Sequence, residues 1–239
     1  LRSLQSYSLI LVVLFTAEWA SGLLAGTALW QSWFGGSSAG FTQSMLSTQL
    51  LRLGVAVVMV GVLLVLFKKP KNIFFVRGDL QAVAQPIPLL MDKPNSWKKL
   101  GWILAVCITG GTLVFLFLGG LPTNIPITSI LALFPFVLLF AAINAFAEEM
   151  NYRAGLLAAL EEPLGGKQAL LITALFFGIG HFYGVPYGIV GVIMASLLGW
   201  LLGKSMLETR GFCWAWFIHF LQDVAIFTFI GIGSIIPGG

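Results

Sequence analysis

Charge is what this sequence has least of. Only 9% of its 239 residues are charged, against 58% hydrophobic, whereas an ordinary soluble domain carries about 25% charged residues. Thirteen basic and nine acidic side chains are too few to cover a soluble surface of this size. That shortage excludes a soluble enzyme, a nucleic-acid-binding protein and a disordered scaffold. The mean hydropathy of +0.96 fits a chain embedded in a lipid bilayer, and the isoelectric point near 9.2 then reads as topology. Cysteine is nearly absent too. Cys107 and Cys213 stand alone in apolar stretches without CxxC spacing, which suits small hydrophobes in helices better than a disulfide or a metal pair. No long alternation of apolar and polar residues is present, so a transmembrane β-barrel is excluded. No internal repeat is visible either.

What is there in quantity is apolar run length. Stretches near 8–30, 48–67, 100–119, 130–160, 168–183, 186–203 and 211–231 approach the roughly 20 residues a helix needs to cross the hydrocarbon core. The expected fold is an all-α polytopic transmembrane bundle of about seven spans. The first run lacks a charged leader and is expected to be a span, not a cleaved signal. Glycine pairs at Phe34-Gly35-Gly36 and Gly119-Gly120 read as turns. Two regions are expected: N-terminal spans with a basic loop over 1–120, and a helical core over 121–239.

The few charges set an orientation. Lys68, Lys69, Lys71, Arg77, Lys93, Lys98 and Lys99 lie between the second and third runs, Lys167, Lys204 and Arg210 fall in later connections, and Arg2 is at the start. The alternate connections near 31–47, 120–129 and 184–186, and the tail after 231, carry no charge. This positive-inside pattern places the N-terminus and the 68–100 loop in the cytoplasm. Arg52 breaks the pattern and is expected to snorkel to the outer interface. The loop, interrupted by Pro70, Pro86, Pro88 and Pro94, reads first as a solvated connector. Anionic lipid or a partner on its lysines is the other reading.

Ionisable residues inside the spans are the informative ones, because each costs several kcal/mol at mid-membrane, by an amount that depends on the scale. They are Glu18, Glu148, Glu149, Arg153, His181, His219 and Asp223, and both histidines of the chain are among them. The run from Ser129 to Leu164 would measure about 50 Å as one helix, so it tilts, kinks (Pro135 is a candidate) or leaves the membrane. Within it, Glu149 and Arg153 are spaced i,i+4 and can neutralise each other. Glu148 points about 100° away, into a cavity, where a carboxylate serves as a general base. Depths counted from Glu161, Lys167 and Arg210 bring Glu148, His181 and the His219/Asp223 pair toward one layer of the membrane. Glu18 fits no such cluster and reads as a packing or interfacial residue. The bland alternatives are a structural Glu149–Arg153 pair and histidines that bond helices together.

Three motifs then align. Glu148-Glu149-Met150-Asn151-Tyr152-Arg153 is an EExxxR sequence, Phe177 to His181 is FxxxH, and His219 to Asp223 is HxxxD. In this order on late spans they resemble the CPBP family of intramembrane proteases, also called Abi or type II CAAX prenyl endopeptidases. The resemblance runs from about 130 to 225. It implies that Glu148 activates a water for attack on a peptide carbonyl, that His181 holds or polarises that water, and that His219 and residue 223 stabilise the oxyanion. It implies a supporting role for Glu149, Arg153 and Phe177. Many members carry Asn where this chain has Asp223, which donates only when protonated and can instead fix the tautomer of His219. Glu148, His181 and His219 would also make a zinc set, although no HExxH is present; the resemblance is read here as needing no metal, with zinc the alternative.

The expected substrate is a peptide or a membrane-protein tail cut close to the bilayer, in a site opening to the cytoplasm. No residue pattern identifies a prenyl pocket, and no nucleic-acid partner is expected. Two other functions fit the same residues: a non-catalytic scaffold or accessory subunit of a membrane complex, and a proton-coupled transporter, which the missing repeat disfavours.

Overall fold

A computed structural model describes residues 2–35, 39–120, 127–184 and 186–234. Gly36, most of the uncharged 120–129 connection, Val185 and the end of the uncharged tail lie outside the described residues. The elements are α1 (Arg2–Ala25), α2 (Ala28–Phe34), α3 (Phe41–Phe67), a 3₁₀ turn (Pro70–Ile73), β1 (Val83–Ala84), β2 (Asn95–Ser96), α4 (Trp97–Leu118), α5 (Ile127–Glu149), a π-helical turn (Met150–Ala154), α6 (Gly155–Leu164), α7 (Gly166–Gly180), α8 (Gly188–Thr209) and α9 (Cys213–Gly233).

Among the described residues, six helical stretches are long and apolar enough to span, counting Ile127–Leu164 as one, while α7 is a shorter apolar helix. The expected bundle is thus six full spans plus one partial one, in an integral multi-pass membrane protein. Its centre is α5 through α9: α7 pairs with α8, α5 with α9, and α6 with α7. The N-terminal helices pack directly on this centre, α3 against α5, α4 against α9, and α1 against α3 and α6.

Small residues let α7 and α8 approach. A Cβ on Gly178 would lie 1.9 Å from Ser196 Oγ and 2.6 Å from the Val192 carbonyl oxygen, so α7 at Gly178 packs directly onto the small Ser196 side chain and the α8 backbone. Gly199 and Gly203 on α8 leave the room that Arg153 fills: a Cβ at those positions would sit 3.3 Å from its Nη2 and 3.5 Å from its Cδ.

The long run over 129–164 departs from regular α geometry at Met150–Ala154, inside the EExxxR segment, with Pro135 carried within α5. A π turn inserts one residue into the helical repeat and re-aims the side chains around it. Such turns recur at functional sites.

The 68–100 segment is not the solvated connector expected. Ile73, Phe74, Ala84 and Ile87 are buried, and β1 pairs antiparallel with β2. The Asp79 N–H donates to the Thr209 carbonyl and the Phe212 N–H to the Val76 carbonyl, each at 2.8 Å. Gly78, at φ +72°, lies so close to Gly211 that a Cβ would be 2.6 Å from its Cα. Trp97 Nε1 donates to Glu208 Oε2 at 2.8 Å, and Glu208 also pairs with Lys204. Local backbone turns and apolar anchors between the prolines thus fold the segment onto the α8–α9 junction. Arg210 pairs with Glu161 at 2.7 Å at the same end, so the basic connections are gathered at one end of the bundle.

Candidate active site

Glu148 stands on the last turn of α5, where four-residue spacing puts Asn144 on the same face. Asn144 Nδ2 donates to Glu148 Oε1 at 3.3 Å and to Asp223 Oδ2 at 2.9 Å. Arg52, from α3, places Nη1 2.7 Å from Glu148 Oε1 and also donates to Asn144 Oδ1. The snorkelling expected of Arg52 is therefore wrong. A guanidinium beside a carboxylate gains a charge-assisted hydrogen bond that an interfacial position would forgo.

The other oxygen, Glu148 Oε2, lies 3.7 Å from His219 Nε2, which is equally 3.7 Å from Asp223 Oδ1. The far side of the imidazole is held: His219 Nδ1 is 2.7 Å from Glu149 Oε1. A carboxylate only accepts when ionised, so Nδ1 carries the proton in that bond. Glu149 is paired in turn with Arg153, and both side chains are fully buried. Arg153 also covers the Phe177 ring, its Cζ 4.4 Å from the centroid, which suits a guanidinium held away from water.

His181 lies just past the end of α7, as its C-cap, and not within a mid-membrane helix as the sequence suggested. Its Nδ1 is 2.8 Å from the Phe177 carbonyl oxygen. A carbonyl can only accept, so Nδ1 donates, and in the neutral ring Nε2 keeps its lone pair. The same bond satisfies a carbonyl left over at the helix end. Phe177 stacks against His181 at 4.4 Å and meets the His219 ring edgewise at 6.2 Å.

Glu148, His181, His219 and Asp223 line one cavity of about 450 Å³, together with Asn144, Phe177 and apolar residues of α4 and α8. The lining runs from mid-helix positions to Pro186 and Gly191 at the α7–α8 connection and takes no residue from the 68–100 segment.

Two readings of single residues change. Asp223 does not fix the tautomer of His219, because Glu149 occupies Nδ1 and Asp223 instead accepts from Asn144. Glu18 is more than an interfacial residue: its Oε1 accepts a 2.8 Å bond from the Tyr152 hydroxyl and ties α1 to the π turn. Sequence reasoning missed Arg52 and Asn144 as site residues. The signals were present, an arginine within a span and an asparagine one helical turn before Glu148.

Both Nδ1 bonds are of the kind that also orients zinc-ligating histidines. Yet among the described residues no three His, Cys, Asp or Glu side chains are placed to hold a metal ion.

The fold and site together define a polytopic all-helical membrane protein with a carboxylate–histidine cavity inside the bundle. Residues 129–225 match the family described as Type II CAAX prenyl endopeptidase Rce1-like, so this part of the chain is similar to the CAAX-protease (CPBP) family. No curated protein and no solved structure matches the chain. The matched segment carries all three motifs and every cavity carboxylate and histidine; Arg52 lies outside it.

Proposed function

We propose that the protein is an intramembrane endopeptidase that cuts a peptide or membrane-protein tail near the bilayer, with Glu148 as general base. The observation that carries this reading is the shared cavity: a carboxylate on α5 and imidazoles from α7 and α9 face one space with largely apolar walls. Glu148 Oε2, the oxygen not held by Arg52, takes a proton from a water that His181 Nε2 steadies. The resulting hydroxide adds to the carbonyl carbon. His219, braced by Glu149, offers Nε2–H to the oxyanion when doubly protonated, and preorganised donors of this kind act strongly where bulk water is excluded. As the C–N bond breaks, Glu148 returns its proton to the leaving amine.

Purified protein in lipid nanodiscs, given internally quenched peptides with and without a prenylated cysteine, tests the reading. Cleavage of either class is expected, lost in His219→Ala and unchanged by the chelator 1,10-phenanthroline. Cleavage abolished by the chelator and restored by zinc would replace the Glu148-water mechanism with a metal-dependent one. One observation favours the scaffold alternative, the Arg52 pair that occupies Glu148 Oε1. A protein that cuts no peptide and co-purifies stoichiometrically with a membrane complex would bear that alternative out.

The orientation follows from the gathered basic end, which we place in the cytoplasm. A cysteine at Lys93, in a chain with Cys107 and Cys213 replaced by serine, is expected to react with a membrane-impermeant maleimide only from the cytoplasmic side. Labelling from the outside would invert the topology.

A further inference from the structure

The charges of the site do not balance within the family-matched segment. Three carboxylates converge there, Glu148, Glu149 and Asp223; of the segment's two guanidiniums, Arg153 is engaged with Glu149 and Arg210 pairs with Glu161, away from the site. Glu148 and Asp223 are left facing each other across Asn144, whose Nδ2 bridges them. The site's second guanidinium comes from α3. Arg52 Nη1 contacts Glu148 Oε1 and the Asn144 carbonyl oxygen together. Arg52 is not among the residues that line the cavity, whereas Glu148 and Asn144 are. It reaches Glu148 from α3, through the same oxygen that Asn144 Nδ2 holds.

We infer that Arg52 is a positioning residue for the proposed hydrolysis. With Asn144 it clamps one oxygen of Glu148 and turns the other toward His219 and the cavity, and it supplies the counter-charge that lets Glu148 and Asp223 stand close together. The inference rests on the reading of Glu148 as the general base. It gives the N-terminal helices a part in catalysis: α3 completes the site that α5, α7 and α9 begin. A base held by one oxygen keeps a single approach direction, and small misplacements of such a group cost about 10²-fold in rate.

Both contacts of Arg52 pass through one nitrogen, so an ammonium can replace them in part, although it lacks the planar fork. The experiment compares wild type, Arg52→Met, Arg52→Lys and Glu148→Gln in native membranes. It follows the rate at which new protein termini appear and the unfolding temperature of each purified variant. Arg52→Met is expected to fold and to cut about 10²-fold more slowly, with Arg52→Lys regaining about tenfold of that loss. Arg52→Met cutting within about twofold of wild type, or Arg52→Lys folding normally yet cutting as slowly as Arg52→Met, would overturn the inference. Should Arg52→Met not accumulate, Arg52→Gln takes its place under the same criteria. Glu148→Gln separates the two levels of the argument. If it cuts like wild type, the site reading itself fails; if it is inactive beside a fully active Arg52→Met, only the role of Arg52 fails.

Discussion

Glu148→Gln is expected to lower the cleavage rate by about 10²–10⁴-fold, the usual contribution of a positioned general base, while leaving the fold intact. The substituted amide keeps a carbonyl oxygen able to accept from Arg52 Nη1 and Asn144 Nδ2, the two donors that now hold Glu148 Oε1. It also keeps the side-chain volume, so the cavity retains its shape. What it loses is the oxygen that takes a proton beside His219. A variant with wild-type unfolding behaviour and no cleavage separates catalysis from structure, and thermal unfolding in detergent run beside the cleavage assay makes the comparison. Retained cleavage would remove the base from Glu148.

Arg153→Met carries the largest expected effect on stability. Glu149 and Arg153 are both fully buried and paired with each other, and removing one partner of a buried ion pair leaves an uncompensated charge that costs about 3–5 kcal/mol. Arg153 also fills the space above Gly199 and Gly203 and covers Phe177. The double variant Glu149→Leu/Arg153→Met is expected to recover most of that stability, because replacing both ions with apolar groups of similar volume is often neutral. It is expected to remain inactive, since His219 loses the acceptor on Nδ1. Unfolding temperatures of the two variants decide the matter. Equal destabilisation in both would mean that packing, and not charge, holds this part of the bundle.

The spans were legible because burial in lipid leaves long apolar runs that no other requirement interrupts. The convergence of Glu148, His181, His219 and Asp223 on one cavity was legible for the complementary reason: ionisable residues are rare in such runs, and counting helical rise from the charged ends gives their depth. Periodicity alone did not reveal the π turn at Met150–Ala154, since the apolar pattern continues through it. Nor did it show that α7 stops at Gly180, with His181 capping it. Asn144, on the same face as Glu148 one turn earlier, was missed because only ionisable residues were counted. Arg52 was missed because depth counting gives height along a helix and not which helices are neighbours, and α3 meets α5 only in three dimensions. The folded 68–100 segment escaped for a similar reason. Its anchors are backbone hydrogen bonds to Thr209 and from Phe212, more than a hundred residues later, and composition carries no trace of such partners.

The measurement that bears most directly on the account compares native membranes carrying wild type with those carrying Glu148→Ala, scoring every membrane-associated protein for a changed terminus. One or a few proteins cut by wild type and left whole in the variant are the expected result, and they would name the substrate. Identical termini in the two membranes would contradict a peptidase centred on Glu148.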